Sequence, residues 1–355
     1  MTNHGTTSNR PLTLVEIKLA SGVTGYGEIQ AFADNSYAPQ TQSLALAELN
    51  QILPNFIGLN FKHPTDLNRK LNQLTSFART SVEMALWDAY GKTTNQSLSQ
   101  LITGKISNCE LIPVGTVLGI QANLEQTSNK IKLATQQGYR KIKFKAANYE
   151  SALTLVKLAH QLTPKLITTI DANQAWENNL STINVLKTLE ANGLQLIEEP
   201  LKNSTFVDYT KLQQNFSHLM ISLDESLTDL DSVKRALNSN SAKAFTIKQG
   251  KLGGISAALT AIDLITQAGK IPWIGGMLTS GLGRSVDLAL ATQLKNSPIP
   301  ADISASNHYF EQDFINETIE IHQGLIKVPQ NPGIGVTINW KAVSQLQNNL
   351  KIQYK

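Results

Sequence analysis

The chain has 355 residues, 41% of them hydrophobic, with 31 basic and 27 acidic side chains and a net charge of +4. That length exceeds one ordinary domain and the apolar content suffices for a large core, while the interspersed charges leave no basic patch for nucleic acid or a membrane surface. No stretch reaches the roughly 18 apolar residues of a membrane span, the first ten residues (MTNHGTTSNR) lack an apolar signal core, and the single cysteine, Cys109, allows no internal disulfide, so a cytoplasmic protein is expected.

Residues 12–18 (LTLVEIK) and 22–29 (GVTGYGEI) read as two strands of a hairpin around Ala20–Ser21–Gly22. The loop from Gln30 to Pro39 is polar and turn-prone, and its part Ala31–Tyr37 is expected to hang over the active-site mouth as a lid. Helical patterns run through Leu44–Leu53 and Thr80–Tyr90. In the second, Val82, Ala85, Leu86 and Ala89 share one face, and Gly91 is placed to stop the helix. Residues 1–110 thus form an α+β unit.

From Leu111 strand runs alternate with helix-length segments. The strands are IPVGTVL, RKIKFKA, LITTIDAN, LQLIEEP, LMISLDES, AFTIKQG, IPWIGG and IPADISA. Eight parallel strands joined by right-handed crossovers close a barrel, so residues 111–311 are expected to form a (β/α)8-type barrel. After that the pattern reverts: TIEIHQGLIKVP reads as a hairpin, followed by the turn-rich NPGIGV. Residues 312–355 are expected to rejoin the N-terminal unit, giving an α/β protein whose α+β capping domain is built from both chain ends.

Five charges recur along the barrel segment: Lys145, Asp171, Glu198, Asp224 and Lys248, with gaps of 26, 27, 26 and 24 residues. Each closes a strand run, and in a β/α barrel those ends share the catalytic face. Any one carboxylate alone reads best as a helix cap or loop ion pair. Jointly, three carboxylates around one mouth repel, and an all-oxygen set selects a hard divalent cation such as Mg²⁺, with Mn²⁺ as a substitute.

Lys141, Lys143 and Lys145 fall on one strand face by period two. By itself that face reads as solvated, but lysines directed into a barrel are costly unless paired or used. Lys143 is expected to disfavour protonation of Lys145 and prime it as a general base. Lys248 stands across the carboxylates, with a plain salt bridge to one of them as the simpler reading. Asn173 is placed to support Asp171, and Glu199 and Glu225 are either supporting acids or surface acids. The glycine-rich segment after the seventh strand (Gly275, Gly276, Met277, Ser280, Gly281, Gly283) is read as a substrate-shaping loop, with Gly276, Met277, Ser280 and Gly281 as substrate contacts.

Over essentially its whole length the chain resembles the enolase superfamily in its muconate-lactonising branch. KFK at 143–145, DAN at 171–173, EEP at 198–200, DES at 224–226 and IKQG at 247–250 are similar to that family's lysine and metal motifs. Within the branch, GGMLTSGLGRS, ADISASNHYF and PGIGV look like the o-succinylbenzoate synthase type that overlaps with N-succinylamino-acid racemases. The resemblance implies Lys145 and Lys248 as catalytic residues, Lys143, Asn173 and Glu225 as supporting ones, and Mg²⁺ on Asp171, Glu198 and Asp224. It also implies a small-molecule carboxylate substrate and dehydration in menaquinone biosynthesis. N-succinylamino-acid racemase and dipeptide epimerase are alternatives on the same scaffold, and an inactive metal-binding barrel is one of another class. No nucleic-acid or membrane partner is expected, and a homo-oligomer is compatible with the pattern. Relatives carry some twenty more residues at the start, so this chain begins near the first cap loop. Thr279 and Lys251 stand where relatives have other residues, and Lys251 favours the dehydratase.

Overall fold

In the computed structural model, the described residues are 10–105, 110–119, 123–146, 148–294, 297–308 and 310–346. The expected first cap loop, as far as residue 9, and Cys109 lie outside them. Among the described residues no helix is long and apolar enough to cross a membrane.

The N-terminal hairpin is β1 (Thr13–Lys18) against β2 (Thr24–Ile29), antiparallel. β2 lies directly on the helix Ser76–Thr94 because two of its residues have no side chain. A Cβ on Gly25 would sit 2.0 Å from the Ala85 carbonyl, and one on Gly27 would sit 1.9 Å from that of Ser81. Ile29, Leu49, Leu71, Phe77 and Val82 fill a cap core of their own.

Gly91 does not end the helix, which continues to Thr94 and stops at Asn95 in the left-handed region. The glycine serves packing instead. A Cβ there would lie 2.7 Å from Gly333 Cα, where the C-terminal segment crosses. A glycine costs a helix interior only about 1 kcal/mol, which a backbone contact offsets.

Seven parallel strands come next in sequence order: β4 (Thr116–Leu118), β5 (Lys141–Lys145), β6 (Ile167–Asp171), β7 (Leu194–Glu198), β8 (Met220–Leu223), β9 (Ala244–Ile247) and β10 (Ile271–Ile274). The return helices start at well-chosen caps. Asn123, Asn148, Asn179, Thr205 and Asp229 each accept a backbone N–H of the first turn. Two of those helices bring Leu186, Leu189 and Val233 into the main hydrophobic core.

Two of the eight expected strands differ. IPVGTVL breaks at Val114: its first part, β3 (Leu111–Pro113), leaves the parallel sheet. IPADISA is not a regular strand, since prolines at 298 and 300 remove ladder donors. Its backbone is nonetheless bonded on both sides. Asp302 N–H donates to Ile274 (2.9 Å), Ala301 N–H to Pro113 (3.1 Å), and Gly115 N–H to Ala301 (2.8 Å).

The C-terminal hairpin forms as β11 (Ile321–His322) and β12 (Leu325–Lys327), but its partner is β3 rather than the N-terminal hairpin. The segment beyond β12 does reach the N-terminal unit. Leu98 N–H donates to Gly333 (2.7 Å), Ile334 N–H donates to Asp88 (2.9 Å), and Trp340 meets the Tyr26 ring edge-on at 5.7 Å.

Candidate active site

Strand register gathers the predicted charges. Lys145 is paired with Asp171 across β5 and β6, and Asp171 with Glu198 across β6 and β7. Asp224 follows the end of β8 and Lys248 the end of β9. All five therefore sit at C-terminal strand ends.

The side chains meet. Lys145 Nζ donates to Asp171 Oδ2 (3.1 Å) and Asn173 Oδ1 (3.3 Å). Lys143 Nζ reaches Glu198 Oε2 (2.5 Å), Asp302 Oδ2 (3.0 Å) and Asp171 Oδ2 (3.3 Å). Lys248 pairs with Asp224 and donates to the Tyr37 hydroxyl (2.9 Å). Lys251 donates to the Asp224 carbonyl (2.5 Å) and Oδ1 (3.2 Å). Asn173 Nδ2 donates to Glu225 (2.9 Å). The Lys145 side chain keeps 17% exposure against 7% for Lys143 and Lys248, so Lys145 is the more reachable ammonium.

Burial and mutual repulsion set the charge states. Burial, then the neighbouring Asp171 and Asp224, push the Glu198 carboxyl up to about 7 against the pull of Lys143. Glu225 is pushed up to about 8 by burial and by Asp224 and Asp171. Asp224 is buried too, but Lys248 and Lys251 hold it far below the usual carboxylate range. Lys143 is desolvated, yet Asp171, Glu198 and Asp302 keep it firmly protonated.

Two expectations change. Lys143 and Lys145 share one oxygen of Asp171, so a carboxylate lies between the two ammoniums that were expected to repel directly. Among the described residues no three carboxylates stand ready-gathered around a metal position. Asp171, Glu198 and Asp224 are each drawn to an ammonium, and charge that would neutralise a cation neutralises lysines. The donor set still fits a hard cation. It offers three buried carboxylates at consecutive strand ends, all oxygen, two of them in register.

The Ala31–Tyr37 segment reaches the site through Tyr37. Its base is fastened by Arg10, whose guanidinium donates to Ala31 (2.5 Å), Gln30 (2.5 Å) and, in the glycine-rich loop, Leu278 (3.0 Å). Of the four residues read as substrate contacts, Gly276 is exposed and Met277 half-buried against the cap core. Ser280 and Gly281 are buried with their polar groups engaged. Ser280 donates to Glu28, and Gly281 N–H donates to Asp313 (2.7 Å).

Comparison with known proteins places the chain in a family. Residues 1–103 match the mandelate racemase/muconate lactonizing enzyme N-terminal domain, and residues 127–342 the enolase C-terminal domain-like family. The chain belongs to the enolase superfamily. It is 33% identical to an o-succinylbenzoate synthase of Geobacillus stearothermophilus, over all of this chain and 93% of that one. It is 32% identical to an N-succinylamino acid racemase of Thermus thermophilus, over 97% and 92% of the two chains. A crystal structure of an enolase-superfamily member from Listeria innocua superposes with a TM-score of 0.88 at 31% identity, covering 96% of this chain and 92% of that one.

Within this superfamily frame, sequence reading missed Asp302, the counter-charge of Lys141 (2.5 Å) and Lys143. The signal was an acid inside an apolar run, IPADISA. Glu199 is fully buried, not a surface acid. It accepts from Asp224 N–H (2.7 Å), Gln174 Nε2 (3.2 Å) and Ser226, and so fixes the backbone that carries Asp224.

Proposed function

We propose that this chain is an o-succinylbenzoate synthase, a hydro-lyase that removes water from 2-succinyl-6-hydroxy-2,4-cyclohexadiene-1-carboxylate to give 2-succinylbenzoate in menaquinone biosynthesis. The observation that carries the reading is the placement of Lys145 and Lys248 on either side of three buried carboxylates, one lysine open and the other tied to the lid. The full-length relatives support it. The segment 299–302, bonded to Ile274 and to residues 113–115, is read as the eighth stave of a closed barrel. That gives a barrel over residues 111–311 with cap parts 1–110 and 312–355, working in the cytoplasm.

Asp171, Glu198 and Asp224 would hold the divalent cation, Mg²⁺ or Mn²⁺. When bound, such an ion stabilises negative charge developing on the substrate carboxylate.

The chain's own residues do the rest. Lys145, more exposed than Lys143 and Lys248 and beside Asp171 and Asn173, is placed to act as the base. It takes the α-proton and returns it to the hydroxyl leaving from the same face, so water departs and the ring becomes aromatic. Lys248, held by Asp224 and Tyr37, offers fixed positive charge without transferring a proton. Asn173 and Glu225 steady the Lys145 side, and the Ala31–Tyr37 segment shuts out water. Gly276 and Met277 shape the substrate's surroundings.

A racemase is the second reading, because a lysine stands on each face. One assay separates them: wild-type protein given the cyclohexadiene, and in parallel N-succinyl amino acids in deuterated water. Dehydration with slow α-exchange is expected. Rapid exchange without dehydration replaces the synthase with the racemase, and inactivity on both supports an inactive barrel.

A further inference from the structure

Asp302 lies beneath the ring of charges, in the segment bonded between β10 and residues 113–115. Its two oxygens serve two buried lysines: Oδ1 meets Lys141 at 2.5 Å and Oδ2 meets Lys143 at 3.0 Å. Lys141 also lies over the Trp273 ring at 4.2 Å, which closes this floor to water. Lys143 has two further carboxylates in reach, Glu198 and Asp171.

Those two belong to the set assigned above to the cation. An ammonium and a divalent cation compete for the same oxygens. Lys143 is largely buried, so releasing Glu198 and Asp171 is costly unless another anion keeps its charge compensated. Asp302 is the carboxylate of the three that stands outside the cation set.

We propose that Asp302 is a positioning residue: it retains Lys143 while Glu198 and Asp171 turn to the divalent cation. The inference rests on the cation reading above. It assigns Lys141 a part as well, that of holding Asp302 in place from the other side.

The test is Mn²⁺ affinity, read from the free-ion electron paramagnetic resonance signal. Asp302→Asn alone would strand the Lys141 ammonium, so the series is built on Lys141→Met. Asp302→Asn is added to it with Lys143 intact, and again with Lys143→Met. With Lys143 present, loss of Asp302 should weaken Mn²⁺ binding about 10–100-fold, the usual effect of removing a residue that supports metal ligands. With Lys143 gone, the same change should matter far less, because there is no ammonium left to retain. Equal losses in both backgrounds would mean that Asp302 acts only as distant negative charge, and no loss with Lys143 present would mean that it does not act on the site. Either result overturns the proposal. If neither wild type nor Lys141→Met binds Mn²⁺, the cation reading itself fails, and the proposal with it.

Discussion

The Tyr37 hydroxyl accepts a hydrogen bond from Lys248 Nζ at 2.9 Å, although 211 positions separate the two residues. This contact joins the Ala31–Tyr37 segment to the C-terminal end of β9 in the parallel sheet. Its ring also lies 5.2 Å from the same ammonium. Tyr37→Phe keeps the ring and removes the bond. One such bond to a charged group contributes about 1.5–3 kcal/mol, so kcat/KM for dehydration should fall by about ten- to a hundredfold, with thermal stability little changed. Unaltered kinetics would separate lid and chemistry.

The Glu28–Ser280 contact ties β2 to the glycine-rich loop after β10, and it makes stability depend on pH. Burial pushes the Glu28 carboxyl from 4.5 up to about 7, with the Ser280 bond opposing. Between those values the folded protein keeps a proton that the unfolded chain releases, so stability falls as pH rises across the window. Below about 4.5 this cost is absent, and above about 7 it is fully developed. It amounts to at most about 3 kcal/mol. Glu28→Gln keeps the acceptor for Ser280 and removes the titration. Thermal melts at pH 5 and pH 8 should show a smaller decline for the variant than for wild type. Parallel declines would place the titration elsewhere.

β2 can rest on the 76–94 helix only while Gly27 lacks a side chain, since an added Cβ would meet the Ser81 carbonyl at 1.9 Å. Gly27→Ala must shift the strand or the helix. A destabilisation of about 1–3 kcal/mol is expected, as for other overpacked sites. A denaturant midpoint equal to wild type would show that the cap is looser than its packing implies.

The charges themselves were legible because each closes a strand run, and strand ends in a repeated βα pattern share one face. Their pairing was not. Asp302 lay unassigned in an expected strand run, and only the backbone bonds at Ala301 and Asp302 bring it to Lys141 and Lys143. Gly91 gave a local stop signal that a distant contact with Gly333 overrode. The break at Val114 was hidden because IPVGTVL is apolar on both sides of it, and the break is decided by β12, some two hundred residues later in the chain. Local patterns specify elements, while partners far apart in sequence decide where those elements end.

Removal of metal gives a direct check on the three carboxylates. Protein treated with EDTA should lose dehydration activity, and Mg²⁺ or Mn²⁺ should restore it. Asp224→Asn should abolish turnover while leaving the circular dichroism spectrum unchanged, although Lys248 and Lys251 both lose a charged partner. Full activity in EDTA would remove the cation from the account.

In the proposed reaction one lysine carries the proton and the other only charge. The most direct measurement is the dehydration rate of Lys145→Ala beside Lys248→Arg. General acid–base groups are worth about 10²–10⁴-fold, so Lys145→Ala should lose at least that. Arginine keeps the charge opposite Asp224 but cannot shuttle a proton at neutral pH, so Lys248→Arg should retain measurable dehydration and show no racemisation of N-succinyl amino acids. A Lys145→Ala enzyme that still dehydrates, or a Lys248→Arg enzyme as inactive as Lys145→Ala, would contradict the account.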